Sequence, residues 1–546
     1  MSTIHNIPLA VDRTSKAWPR STRLIPALTG KGIVWIVAGA IAAAYMAIFA
    51  LLSPLPLQDL PTHLARAVVM DDLMFHGGNR FGDVYQFHFL LIPYVLGDLV
   101  LACAVELLGP IRASALWGAV EFLSLPLAVL FYLRITGLAE RRRPLLFLVS
   151  IYLATDWSFT MGFVSFRFGI AMSLIILGLV GALRRRWSAG LFLTYFSTVL
   201  LGYLMHLSVV LWISAAAGVT GLLRMHWRET NLRTECLLAM PVIAVLLWHF
   251  GVADHIRIAG DVVENPYTWG TLHEKFARLG SEFFRYSGTR DIVMILMLAG
   301  CLVLQMSIVK KEQFRSRKVT EALALALTFV GLYLALPMAY SEASYVDVRA
   351  LPLAGFFFIL TCMVSSEAGP AISQSRMVLA LMVAAALAVA NLVSLTTVLI
   401  RNQGFLMQYR SVVAAIPAHA RVFPVSTLHA QGAVEPLLHA NSFITIDRSG
   451  VTPYEFSGDN GNPDRYFRYL KRPYDPPEDW YFKMPALKLD WESVACDYDF
   501  LIVTQPYAAQ RFLLSTRIVA RNDAAALLAI DKRECNRLHP GINRAL

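Results

Sequence analysis

Long apolar runs alternate with short polar connections along the first 400 residues of the chain. A helix needs about 20 apolar residues to cross the hydrocarbon core of a bilayer. Eleven runs approach or reach that length, although several are short or nearly adjoin. They lie at residues 32–53, 113–134, 144–158, 162–183, 187–204, 206–223, 235–251, 290–309, 319–338, 348–366 and 376–400. The pattern predicts a polytopic α-helical membrane protein with about eleven spans.

The apolar segment from Leu90 to Gly109 is harder to assign because it contains Pro93, Asp98 and Glu106. Cytoplasmic loops of membrane proteins carry an excess of Lys and Arg, and this excess indicates orientation. With a cytoplasmic N-terminus, the later basic clusters all face the cytoplasm only if this segment does not cross. These clusters are Arg141–Arg143, Arg184–Arg186, Arg224–Arg233 and Lys310–Lys318. We therefore expect a re-entrant or interfacial helix inside a long first outer loop, residues 54–112.

The two ends of the chain differ from this apolar middle. Residues 1–31 are basic, and the apolar run after them is too long for the core of a cleaved signal peptide, so we expect a cytoplasmic N-terminus and a signal anchor. The composition changes at Arg401 to that of a soluble domain. Short apolar runs predict strands at Ala420–Val425, Ser442–Ile446, Phe500–Thr504 and Leu527–Ile530. Residues 401–546 are thus predicted to form a small extracytoplasmic α/β domain.

Two of the six cysteines, Cys496 and Cys535, lie in this C-terminal region, and the other four lie in apolar segments. Disulfides persist in oxidising compartments. Cys496 precedes the strand predicted at Phe500, and Cys535 follows the one ending at Ile530. If those strands are neighbours in one sheet, the two cysteines can form a disulfide.

Composition excludes several classes of protein. The 546 residues are 56% hydrophobic and only 16% charged, with a mean hydropathy of +0.54, whereas soluble domains carry about 25% charged residues. The net charge of +10 comes largely from clusters beside apolar spans, so it indicates topology and no nucleic-acid partner. The chain has no Gly-rich phosphate loop and no metal-finger spacing.

The first candidate for chemistry follows the first span. Proline is favoured in the first turn of a helix, so Pro61 predicts a helix that begins after Asp59 as its N-cap and runs to about Phe75. Asp59, His63 and Arg66 then share one stripe of the helix. A carboxylate can act as a general base toward a hydroxyl, and a guanidinium matches a phosphate. The alternative is that Asp59 only caps the helix.

A second candidate acid, Asp156, lies in the turn between two spans. Arg167 begins the next span, where a charged side chain is costly without a partner. Arg167 therefore needs an anion, which is either Asp156, in a structural ion pair, or the phosphate of a lipid.

Two further residues lie at the outer ends of spans. His206 occupies the turn between the fifth and sixth spans, and Arg349 opens the tenth. A lone histidine at such a turn is commonly a hydrogen-bond partner of a helix end. Arg349 is a candidate for binding the phosphate of a lipid carrier.

This layout resembles the GT-C superfamily of membrane glycosyltransferases, whose members include protein mannosyltransferases and the aminoarabinose transferases of lipid A. Asp59 matches the first-loop acid of the superfamily, and Asp156 matches the second-loop acid. Two features depart from the better-known relatives. Asp59 is flanked by Gln58 and Leu60, where an adjacent pair of acids is common, and the C-terminal domain has no Trp-Trp-Asp run.

The resemblance implies transfer of a sugar from a polyprenyl-phosphate carrier to a lipid, glycan or protein acceptor, at the outer face of the bacterial inner membrane. Asp59, His63 and Asp156 would then be catalytic, and Arg66, Arg167, His206 and Arg349 would bind the lipid phosphate. No cofactor is certain, and a divalent cation stays open. The alternatives are a polysaccharide polymerase and a lipid-linked glycan transporter, although a transporter would need polar or broken helices at mid-span.

Overall fold

The fold is described from a computed structural model. It covers residues 30–535 apart from 88, 257–266, 284, 286–287, 308, 310, 341–342, 368–373, 426–433, 454–466, 470–490, 505–515 and 534. The predicted basic N-terminus lies outside these residues, except for its last two.

Helices make up most of the described chain. In chain order they are α1 (Gly30–Leu51), α2 (Leu60–Phe75), α3 (Val95–Leu108), α4 (Pro110–Thr136), α5 (Arg143–Leu153), α6 (Trp157–Met161), α7 (Val164–Arg185), α8 (Ala189–Met205), α9 (Ser208–His226), α10 (Leu232–Ile256), α11 (Leu272–Phe283), α12 (Gly288–Met306), α13 (Arg317–Ala335), α14 (Leu351–Glu367), α15 (Gln374–Val413), α16 (Ser442–Arg448) and α17 (Trp491–Asp497). The strands are β1 (Tyr85–Phe87), β2 (Tyr267–Thr268), β3 (Ala339–Tyr340), β4 (Ala343–Ser344), β5 (Val422–Val425), β6 (Phe467–Tyr469), β7 (Phe500–Thr504), β8 (Thr516–Arg521) and β9 (Ala525–Ile530).

Ten helical stretches of the described chain are long and apolar enough to cross a membrane. They are α1, α4, Glu140–Met161, α7, α9, α10, α12, α13, Val348–Ser366 and α15. Helix α8 is an eleventh apolar helix, with 17 residues. Each coincides with one of the eleven predicted spans, so the protein is a multi-pass membrane protein with the predicted helical architecture.

Residues 54–112, the predicted first outer loop, contain the predicted helix and a second one. Helix α2 begins at Leu60 and ends at Phe75, as predicted. The doubtful segment forms α3, whose 14 residues extend about 21 Å, less than the ~30 Å thickness of the hydrocarbon core. Its length supports the interfacial assignment, which stays a prediction. Helices α2 and α3 pack against each other.

The C-terminal region contains a four-stranded mixed sheet in the order β5, β7, β9, β8. Strands β5 and β7 are parallel, and the other two pairs are antiparallel. Three of the predicted strands therefore exist, but the strand predicted at Ser442–Ile446 is wrong, because these residues form α16. The segment is buried on all sides and packs on α2, and this tertiary environment overrides the strand propensity of its β-branched residues.

The disulfide that the sequence leaves open is present. Cys496, in α17, is bonded to Cys535, and their Cα atoms are 5.0 Å apart. The strands that bring them together are neighbours, since Phe500 of β7 pairs with Ala529 of β9.

Helix α15 joins the membrane part to the C-terminal sheet. Its 40 residues extend about 60 Å, so the boundary predicted at residue 400 falls within one continuous helix. Arg410, near the end of α15, forms a bidentate ion pair with Asp447 of α16. Its Nε donates to Oδ2 at 2.8 Å and its Nη2 donates to Oδ1 at 2.9 Å. Strand β1 of the first outer loop also pairs with β6 of the C-terminal region. The C-terminal region is thus attached to both α15 and the first outer loop.

Candidate active site

Asp59 lies where the start of α2 meets the turn between α6 and α7. Its N–H donates to the carbonyl of Met161 at 2.8 Å. Gly162 has a φ of +79°, and a Cβ there would lie 2.8 Å from the Leu60 nitrogen. A glycine is therefore required for this close approach, which fixes the backbone of Asp59.

The Asp59 side chain does not cap the helix, so this part of the prediction is wrong. Its backbone is in the right-handed helical region, with φ −94° and ψ −13°, whereas a capping residue is usually extended. The carboxylate instead accepts a hydrogen bond from Gln58 Nε2 at 3.3 Å. It is therefore available for chemistry.

The electrostatic surroundings of Asp59 suit a general base. The residue is only 8% exposed, and burial raises the pKa of its carboxyl to about 7, against the opposing effects of the Gln58 hydrogen bond and the nearby positive charge of Arg349. A base is most effective when its pKa lies near the working pH.

The C-terminal region contributes directly to this site. His439 Nε2 lies 3.6 Å from Asp59 Oδ1. Burial lowers the pKa of His439 to about 4, so its ring is neutral at physiological pH. The N–H of Glu435 donates to Gln58 Oε1 at 2.9 Å, which turns the Gln58 amide nitrogen toward Asp59. The carboxylate is thus enclosed and oriented by a segment almost 380 residues away in sequence.

His63 and Arg66 form a separate cluster on α2 with Asp98 of α3. Arg66 Nη2 lies 2.9 Å from Asp98 Oδ2, and His63 Nδ1 lies 3.8 Å from Asp98 Oδ1. Burial lowers the pKa of His63, and Asp98 opposes this effect. Asp98 neutralises the charge of Arg66, so Arg66 is less suited to bind a phosphate than the sequence predicts.

Arg349 and His206 are adjacent. Arg349 Nη1 lies 3.0 Å from His206 Nε2, and the guanidinium lies 5.4 Å from the ring centre of Phe163 and 5.6 Å from that of Phe166. Burial, followed by the charge of Arg349, holds the pKa of His206 well below its ordinary value. A neutral imidazole therefore supports a guanidinium whose charge acts on Asp59.

Asp156 and Arg167 form a buried ion pair with a distance of 2.6 Å between Oδ2 and Nη1. Asp156 also caps α6 by accepting from the Phe159 N–H at 3.1 Å, and it accepts from Ser158 Oγ at 2.6 Å. Arg167 further donates to the Ala154 carbonyl at 2.6 Å. This geometry favours the structural interpretation of both residues over a catalytic acid and a lipid-phosphate ligand.

Three residues around the site were not selected from the sequence: Gln58, Asp98 and His439. Asp98 had a detectable signal, since a carboxylate inside an apolar helix needs a partner. Gln58 and His439 had none, because both act through contacts between distant segments. Among the described residues, the group of side chains spaced to hold a metal ion is not at Asp59 but consists of Asp71, His76 and Glu106.

The bundle of apolar helices, α2 and the C-terminal sheet together form a GT-C-like membrane fold. The same fold is found in the crystal structure of ArnT from Cupriavidus metallidurans bound to undecaprenyl phosphate. The TM-score is 0.54 at 11% sequence identity, and the match covers 92% of this chain and 98% of that one. No family model matches the sequence, and no curated protein matches it either.

Proposed function

We propose that the protein is a glycosyltransferase that moves a sugar from a polyprenyl-phosphate carrier to an acceptor at the extracytoplasmic face of the membrane. The observation that carries this proposal is the buried carboxylate of Asp59, which does not cap the helix and has a pKa of about 7. The positive charge of Arg349 acts on it. The shared fold gives independent support, since the ArnT structure holds a polyprenyl phosphate.

In the proposed reaction, Asp59 removes the proton of the acceptor hydroxyl as its oxygen bonds to the anomeric carbon. The bond between that carbon and the phosphate oxygen breaks, and the polyprenyl phosphate leaves with the electron pair. The configuration at the anomeric carbon is inverted, because attack and departure occur on opposite faces. The proton remains on Asp59 until it passes to solvent.

Arg349 stabilises the departing phosphate in this mechanism. Its planar guanidinium is held by His206 and by the rings of Phe163 and Phe166, so little reorganisation is needed when negative charge develops. We assign the phosphate contact to Arg349 because its positive charge acts on Asp59.

A donor panel tests the proposal. Purified protein in nanodiscs is incubated with undecaprenyl-phosphate sugars and with envelope glycolipids as acceptors, and the release of undecaprenyl phosphate is measured by mass spectrometry. We expect at least one donor to be consumed with formation of a new glycolipid or glycan. If no donor is consumed above the background of empty nanodiscs, the proposal is contradicted.

A further inference from the structure

A cavity of about 620 Å³ lies at the end of α2 remote from Asp59. The ends of α2 and α3, the start of α4 and Ile446 of α16 line it. Asp71 follows Asp59 by twelve positions, which corresponds to about 18 Å along the helix axis. The cavity is therefore a feature distinct from the candidate active site.

Three potential metal ligands converge in this cavity from two helices. His76 Nε2 lies 2.8 Å from Glu106 Oε2 and 3.7 Å from Asp71 Oδ2. The ligand atoms of all three residues lie within 4.8 Å of one another. Ligands of a tetrahedral zinc ion, each bonded at about 2.0–2.1 Å, are about 3.3 Å apart. The three side chains are thus spaced as ligands of a single ion.

Asp71 supplies a second, independent indication of a missing partner. It is only 5% exposed, and its buried Oδ1 atom has no hydrogen-bond partner. A buried carboxylate oxygen without a partner is costly, and native structures rarely leave one unsatisfied. A cation within reach of Asp71 would remove this cost.

The local charge also favours a cation. Three carboxylates, those of Asp71, Asp72 and Glu106, line the cavity together with one guanidinium, that of Arg80. The Arg80 guanidinium is shared between two of them, since Nε donates to Asp72 Oδ1 and Nη2 donates to Asp71 Oδ2, both at 3.3 Å. An excess of negative charge therefore remains beside His76.

We propose that Asp71, His76 and Glu106 bind a divalent transition-metal ion, with zinc as the best match. One imidazole and two carboxylates are ligands that zinc accepts, and the cavity has room for a water molecule as the fourth. The ion would hold the end of α2 to the end of α3. It would thereby fix α2, which begins directly after Asp59, against α3, which contains Asp98.

Metal content tests this proposal without any assay of activity. The full-length protein, purified in detergent without a histidine tag, is stripped with a chelator, loaded with zinc chloride and desalted. The zinc content of the protein is then measured by inductively coupled plasma mass spectrometry. We expect about one ion per chain, and at least a fivefold loss in His76→Ala and in Glu106→Gln. The side chains of His76 and Glu106 are 45% and 40% exposed, so these variants should fold.

Matched controls are His273→Ala on α11 and Asp83→Asn in the first outer loop, both exposed residues outside the cavity. These variants should retain zinc like the wild type. Zinc should also raise the melting temperature of the wild type and of the controls, but not that of His76→Ala. A wild type without bound zinc, or variants at positions 76 and 106 that retain as much zinc as the controls, would overturn the proposal.

Discussion

Asp59 is the residue on which the proposed chemistry depends, and its surroundings determine the pH at which it works. Burial favours the neutral acid, whereas Gln58 and Arg349 favour the carboxylate, and the balance places the pKa at about 7. A general base acts only when ionised. Activity should therefore increase as the pH rises through 7 and then level off.

This pH dependence gives a first prediction at the residue scale. Gln58→Leu removes the hydrogen bond that lowers the pKa of Asp59, so the midpoint of the rate profile should move to higher pH. Initial rates of donor consumption between about pH 5.5 and 8.5 measure the shift. A midpoint that is unchanged, or that moves to lower pH, would contradict the assignment.

Asp156 has the opposite character, because its carboxylate is used in a buried ion pair. Asp156→Asn should destabilise the protein by about 3–5 kcal/mol, since it removes the closest carboxylate from the buried Arg167 guanidinium. Thermal unfolding in detergent measures this loss, with Asp83→Asn as the control. A variant that melts like the wild type but transfers no sugar would instead give Asp156 a role in the chemistry.

At the scale of elements, the apolar periodicity of the sequence was sufficient to locate the spans, because a membrane helix satisfies its backbone polar groups within itself. The C-terminal strands were predicted where short apolar runs stand between turns. The strand predicted at Ser442–Ile446 is wrong because the helix formed there depends on packing against α2, and the local sequence contains no signal for that packing. Strand β8 was missed for a related reason, since it is a largely exposed edge strand without an apolar run.

The disulfide gives a prediction for the C-terminal sheet. The bond closes a loop across 39 positions, which constrains the unfolded chain by about 4 kcal/mol in the loop-entropy model. The double variant Cys496→Ala and Cys535→Ala should therefore lower the melting temperature, while Cys103→Ser, at an exposed free cysteine, should not. Equal melting temperatures, or free thiols at both positions in protein purified without reductant, would be inconsistent with this account.

At the scale of the whole molecule, the candidate site joins segments from both ends of the chain. Asp59 follows the first span, Arg349 opens the tenth predicted span and His439 belongs to the C-terminal region. The sequence could supply the first two as separate candidates. The sequence could not predict that Asp59 and Arg349 lie close together, or that His439 joins them. Their proximity depends on the packing of the entire helix bundle.

Membrane topology is the prediction that belongs to this scale. Asp83 and Arg112 are exposed positions on either side of α3. If α3 does not cross the bilayer, the variants Asp83→Cys and Arg112→Cys should both react with an impermeant reagent from the same, outer side. The exposed cysteines at 103 and 236 are first replaced by serine. Labelling from opposite sides would make α3 a span, and the basic clusters would then violate the positive-inside rule.

The most direct test of the central claim compares Asp59→Asn with Asp83→Asn, another carboxylate of the same outer loop. The asparagine side chain can keep the hydrogen-bonding contacts of Asp59 but cannot take a proton from the acceptor. With a donor that the wild type consumes, Asp59→Asn should reduce turnover by about 10²–10⁴-fold, with an unchanged melting temperature and unchanged binding of undecaprenyl phosphate. Asp83→Asn should match the wild type. Near-normal turnover by a folded Asp59→Asn variant would contradict the account.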